Sequence, residues 1–389
     1  MDGHSGAAPT GRDLRLDFFR GLALFCIFVD HVPGNVFGLI TIQSIGFSDA
    51  AELFILISGY TAGLVFGRVF DARGFLVSTV RIYHRVWQLY VAHVFLFVLF
   101  LAMVAHTVGA LNSSVYAEEL GAADFLREPD VAVVMALSLL FQPAFMDILP
   151  LYIVLLGVLP LMFVFFRISA RAALLASFAL WLVVQIYPAL NLPSYPGPDS
   201  RWYFNPFAWQ FLFFIGAYFG WRGPPNARWR LNKPLIIGAT ALAVAAFVIH
   251  SSWTLHEFHD PFRPILLGTL SPLLSKTDLS WLRLGNILVL TILAVRFVGP
   301  RDSWLRHRWA YPFILCGRHS LYVFCLGILL AVIGRLILNE FYDGLWAQAA
   351  VTVAGVAIMI GVAWLIDWVR TNVTVARGGV ERVPAAGGS

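Results

Sequence analysis

Apolar runs of nearly bilayer length recur along this chain. Val86 to Leu101, Leu149 to Phe166, Leu174 to Ile186 and Ile287 to Val295 reach or approach the roughly 20 residues that a hydrocarbon core demands of a spanning helix. Composition removes the alternative of a large soluble core: 59% of the residues are hydrophobic and 13% are charged, about half the charged share of an ordinary soluble domain. Lipid is therefore the solvent for most of the surface, and a soluble enzyme is excluded.

Apolar length and charge bias together predict an all-α polytopic membrane protein. Ten transmembrane spans are expected, at 15–33, 50–68, 86–108, 149–166, 171–188, 206–221, 234–250, 281–298, 318–338 and 346–369. The stretch 131–146 reads as an interfacial or re-entrant helix, because a further crossing there would put Arg167 and Arg171 beside the acidic loop 116–130. With this map, 19 of the 27 Lys and Arg fall on the side of the termini and six on the other, so both termini are expected in the cytoplasm. One domain spans 15–370, flanked by a cytoplasmic tail at 1–14 and a disordered tail at 371–389. Arg12 and Arg15 precede the apolar stretch Leu22 to Val29 as in a signal peptide. Asp17 and Arg20 interrupt the pattern and no small-residue cleavage site follows, so the segment reads as a permanent helix.

The net charge of +5 comes from scattered cations rather than a dense basic cluster, which argues against a nucleic-acid partner. Cys26, Cys316 and Cys325 lie in apolar segments without pairing or metal-ligand spacing. His256 and His259 have no third ligand in view, so no metal is expected.

Polar residues inside the apolar segments carry the functional signal. Asp17, Arg20 and His31 fall within about 60° of one another on a helix and rise about 21 Å, a stripe that must face protein or a wet channel. Asp30 points away from it on an ideal helix. In the second segment Glu52 shares a face with Gly59 and Gly63, and Gly59, Gly63 and Gly67 have the spacing that lets helices touch closely. That face is expected to press on the first helix and bring Glu52 to His31, a carboxylate orienting a general base. Arg81, His84 and Arg85 share a helical face suited to a polyanion. Asp147 stands before a Pro-started helix, as substrate contact or N-cap. Aromatics beside carboxylates in the outer loops, including Trp202, Trp253, His256 and Glu257, suit a carbohydrate surface or an interfacial aromatic belt.

Two stretches also carry a resemblance. Asp17-Phe18-Phe19-Arg20-Gly21-Leu22-Ala23-Leu24 with Asp30-His31, and Glu52-Leu53-Phe54-Ile55-Leu56-Ile57-Ser58-Gly59-Tyr60, resemble the first two motifs of the transmembrane acyltransferase superfamily. Within it the chain is most similar to the OpgC family of osmoregulated periplasmic glucan succinyltransferases, through Gly46 to Glu52, Met146 to Tyr152, Asn205 to Gln210 and Gly317 to Phe324. The resemblance implies a multi-pass protein of the bacterial inner membrane that moves an acyl group, succinyl in this family, from cytoplasmic acyl-CoA to a hydroxyl of a periplasmic glucan. His31 is then the base with Glu52 or Asp30 as partner. Arg20, Arg81, Arg85 and Arg318 hold the acyl-CoA donor, and Asp147, Tyr152, Trp202, Trp253, His256 and Glu257 meet the acceptor. Relatives place the paired arginines closer together than Arg81 and Arg85, and many have a His where this chain has Gly327. A polytopic transporter or flippase for a glycan or acyl precursor is the main alternative, because intramembrane charges also line transport paths. A non-catalytic subunit is the third.

Overall fold

The computed structural model describes residues 13–111, 114–197, 199–223, 233–258, 263–300 and 302–380, and the described residues are helical with no β-strand beyond isolated bridges. Among the described residues, five helices are long and apolar enough to cross a membrane: Ala50–Leu111, Ile148–Ile186, Lys233–His256, Ser320–Glu340 and Leu345–Asn372. The first, if straight, would measure about 93 Å, three times a hydrocarbon core. It breaks at Gly74, whose φ of 80° is open to glycine without a Cβ penalty. Its arms are α2 (50–73) and α3 (75–111). Ile148–Ile186 likewise breaks at Ser169 into α4 (148–168) and α5 (170–186). Helices of 17 residues, about 25 Å, complete the apolar set: α1 (Leu14–Asp30), α6 (Pro206–Arg222) and α8 (Trp281–Phe297). The remaining long helices are α7 (Lys233–Phe258), α10 (Ser320–Glu340) and α11 (Leu345–Val380), with the short α9 (Tyr311–Arg318) before α10.

One face of α3 shows what surrounds the bundle. Leu76, Val80, Tyr83, Trp87, Val91, Phe95 and Val98 recur every three or four residues and are all exposed, while Ile82, Leu89, Leu96 and Phe100 on the other face are buried. An apolar stripe of that length is stable only against lipid.

Glycines set the closest crossings. Gly59, Gly63 and Gly67 of α2 leave no room for a Cβ against Phe213, Ala217 and Trp221 of α6, and Gly216 and Gly220 of α6 lie as tightly on Leu56 and Tyr60 of α2. The glycine face thus packs on α6 and not, as its spacing alone suggested, on α1, because α6 offers a reciprocal Gly-xxx-Gly face. The first helix is gripped instead by α9: Gly21 abuts the Phe313 carbonyl and Gly317 the Asp17 carbonyl. That helix was not foreseen, since the eight residues from Tyr311 to Arg318 are too short to register as a span.

The segment expected to be interfacial forms the nine-residue helix Pro129–Leu137, about 14 Å long and too short to cross. It lies with the segments 31–49, 187–205 and 263–280 at one end of the bundle, tied by Tyr195 N–H to Leu140 O (2.8 Å) and Trp209 Nε1–H to Lys276 O (3.1 Å). The bends at Gly74 and Ser169 occupy the other end, where Trp221 Nε1 donates to Asp71 (2.8 Å). The final helix runs to Val380, past the boundary at 371 set from the sequence. Residues 1–12 and 381–389, which hold most of the first expected tail and nearly half of the second, lie outside the described residues.

Candidate active site

Of the polar stripe of α1, Arg20 reaches a cavity of about 270 Å³. Arg20 of α1, Arg85 of α3 and Tyr152 of α4 line it, with Ser58 and Thr61 of α2 and Ser320 of α10. Arg20 Nη2 donates to Thr61 Oγ1 (2.7 Å), and Thr61 in turn donates to Ile57 O (2.9 Å). Arg85 Nη1 donates to the neutral Gln88 Oε1 (3.0 Å). Two guanidiniums from different helices thus meet a phenol and hydroxyls in a partly apolar chamber, where an anion would be bound by charge and hydrogen bonds together.

His31 does not line that chamber; it stands about three turns further along the first helix, about 16 Å from Arg20 by helix rise. The helix ends at Asp30, and His31 caps it. Its Nδ1 lies 2.5 Å from Ile27 O. A carbonyl only accepts, so Nδ1 carries the proton and Nε2 presents a lone pair. Among the described residues no protein group bonds Nε2. Phe145 packs edge-on against the imidazole with centroids 4.5 Å apart, and does so from a left-handed backbone, φ 70°. A bulky residue there costs roughly 1–2 kcal/mol. Neither Phe145 nor its strain could be read from the sequence.

The expected partners of His31 are engaged elsewhere. Glu52, fully buried, accepts from Arg283 Nε (2.6 Å) and from the Asp49 amide (2.9 Å). Asp49 accepts from Arg283 Nη2 (2.9 Å) and Lys276 Nζ (2.7 Å). The pairing of Glu52 with His31 is therefore corrected: a guanidinium 231 positions away is the better partner for a buried carboxylate than a neutral imidazole. Asp30 accepts from Thr41 Oγ1 (2.7 Å) and fixes the loop after α1. Burial alone would raise the Asp49 carboxyl, but Lys276 and Arg283 outweigh it and hold it below the usual carboxylate range. Burial opposes the Lys276 charge as well, and Asp49 and Glu52 more than offset it, so the ammonium is held above its ordinary value. One sequence signal could have found the cluster, since Lys276 and Arg283 are two of only six cations on the side that positive-inside bias leaves poor.

The other expected residues scatter. Arg81 is exposed and does not line the cavity, since it lies one turn before Arg85 on the same face of α3, nearer the bend at Gly74. Arg318 ends α9 with its Nε buried and without a hydrogen-bond partner, and it does not line the cavity beside its neighbour Ser320. Tyr152 faces the two arginines rather than the outer loops. Asp147 holds the N-cap position of α4 without a capping bond, and burial pushes its carboxyl up to about 6 despite Lys276. Trp202 is only 3% exposed and offers no ring face to a ligand. Trp253 lines a second, wider cleft, while His256 Nδ1 is buried without a partner. The side chain of Glu257, and all of His259, lie outside the described residues.

Comparison with known proteins agrees with the motifs. The family described as OpgC protein matches residues 12–371, nearly the whole chain. A search of curated proteins found none that matches.

Proposed function

Starting from the OpgC family, to which this chain belongs and which implies a membrane acyltransferase acting in glucan modification, we propose that it transfers succinyl from cytoplasmic succinyl-CoA to a periplasmic glucan hydroxyl. In this reading the chain crosses the bacterial inner membrane ten times with both termini in the cytoplasm. Arg20 and Arg85 hold the anionic part of the donor, and the donor's extended arm carries the thioester along the chamber toward His31. Two observations support the reading: a chamber where two arginines converge, and a histidine on the same helix as one of them whose Nδ1 is turned onto the Ile27 carbonyl, which leaves Nε2 of the neutral ring free to take a proton.

A sugar hydroxyl is a weak nucleophile at neutral pH. In the proposed step its oxygen attacks the thioester carbonyl as Nε2 takes its proton, the carbon–sulfur bond breaks, and the imidazolium returns the proton to the departing thiolate. A base in that position contributes typically 10²–10⁴ in rate. Glu52 and Asp49 act at a distance, by fixing the start of α2 against α8 through Arg283.

The test uses purified full-length protein in lipid nanodiscs with succinyl-CoA and unmodified glucan. Free CoA thiol should appear only when both substrates are present, and mass spectrometry should find glucan heavier by succinyl units. Glucan crossing a sealed vesicle without acylation would overturn this reading in favour of a transporter.

A further inference from the structure

The loop-rich end holds a second cleft, of about 580 Å³, between the segment 34–49 and the facing ends of α7 and α8. Asn35, Gln43 and Ser44 line it from one side, and Trp253, Thr254 and Arg283 from the other. That size lies within the usual range of ligand sites. The cleft excludes His31, although Gly34 at its rim follows only three residues later. We propose that this cleft is an anchoring subsite for neutral sugar rings of the glucan acceptor, remote from the ring that reacts; the proposal rests on the acyltransfer reading.

Three features select such a ligand. Gln43 is half-buried and makes no hydrogen bond with the described residues, so its amide presents donors and an acceptor to the cleft. Arg283 spends one N–H on Glu52 and one on Asp49, and the rest of its five donors remain. Its charge, however, is already answered. Asp49 and Glu52 face Lys276 and Arg283, so the wall donates hydrogen bonds without a net positive field. Phosphate, which needs an unanswered cation, is disfavoured, whereas hydroxyls are suited. Trp253, largely buried at 9% exposure, contributes to the wall an indole that is fixed in place by donating to Ile265 O (2.7 Å) and packing on Phe47 (5.8 Å).

A subsite away from the reaction centre acts on the length of the acceptor. Calorimetry on the full-length protein in nanodiscs, without donor, measures binding of neutral gluco-oligosaccharides from one ring to a polymer, with inorganic phosphate as competitor. Affinity should rise with length until the cleft is filled. Gln43→Ala, which removes no internal hydrogen bond, should weaken the longer ligands about threefold to tenfold, the worth of one or two neutral hydrogen bonds. Trp253→Phe, which keeps an aromatic ring but loses the bond to Ile265 O, should weaken them as well, and Gln43→Ala should turn over a one-ring acceptor at the wild-type rate. Wild-type affinity in Gln43→Ala, or displacement of the sugar by phosphate, would overturn the subsite. Length-dependent binding sensitive to Gln43 with no acylation by any donor would leave the subsite standing and sink the acyltransfer reading instead.

Discussion

Arg283 and Arg85 are the same side chain in opposite surroundings. Arg283, 12% exposed, is clamped between Glu52 and Asp49 at the loop-rich end. Arg85 is half-buried on a chamber wall, and its hydrogen-bond partner is an uncharged amide. A charge removed from water is tolerable when countercharges meet it, and is then committed to the fold. A guanidinium with a neutral partner in a partly apolar chamber retains its capacity for an anion. The difference separates cations that build the site from those that serve it.

Truncating each arginine in turn separates the two roles. Arg283→Ala leaves Glu52 buried without its countercharge and should destabilise the protein by roughly 3–5 kcal/mol, seen as a large drop in thermal unfolding temperature in detergent. Arg85→Ala should unfold within about 0.5 kcal/mol of wild type, as substitutions away from buried networks do, yet lose most donor affinity. Arg85→Lys should recover only part of it, because a point charge does not replace a planar fork. Equal stability losses at the two positions would erase the distinction.

A second test sharpens the ion-paired end through pH. Asp49 is held below the usual carboxylate range, so the unfolded chain takes up its proton first. Its contribution is therefore complete above about pH 4, the ordinary Asp value, and is lost as the pH falls below that. The slope of stability against pH in this acid window should be shallower in Asp49→Asn than in wild type. An unchanged slope would mean that the pair with Lys276 and Arg283 does not form in solution.

What the sequence could reveal follows the same division. Apolar length marked most helix ends within a few residues, because the need to cover a hydrocarbon layer is written in consecutive positions, and missed the ends that run on beyond that layer, such as those at 75 and 380. The stretch 69–85 read as a loop because Asp71, Arg73, Arg81 and Arg85 punctuate it, whereas the helices run on to either side of Gly74 and carry those charges with them. Arg85 stood out because it shares a helical face with Arg81 and His84, and His31 and Arg20 because ionisable groups are rare in such segments. Glu52 stood out for the same reason, but its partner lies far along the chain and no periodicity links them. The glycine face of α2 was legible and its partner misassigned, although Gly216 and Gly220 of α6 offered the matching spacing. Phe145 gave no signal, since a left-handed backbone at a bulky residue is imposed by packing.

Phe145 provides the smallest expected effect on stability beside a clear one on turnover. Phe145→Gly relieves the left-handed backbone but opens the space against the imidazole. Stability should change little, since lost packing and relieved strain oppose each other, while transfer falls several-fold with donor affinity intact. Wild-type turnover in this variant would remove Phe145 from the account.

If His31 Nε2 takes the acceptor proton, a His31→Ala protein should keep its fold and its donor and lose transfer. Folding and donor binding should match wild type, since the hydrogen bond that His31 makes, to Ile27 O, lies at a helix end. Succinyl transfer to glucan should fall by 10² or more. Near-normal glucan acylation by well-folded His31→Ala protein would show that another group does the chemistry.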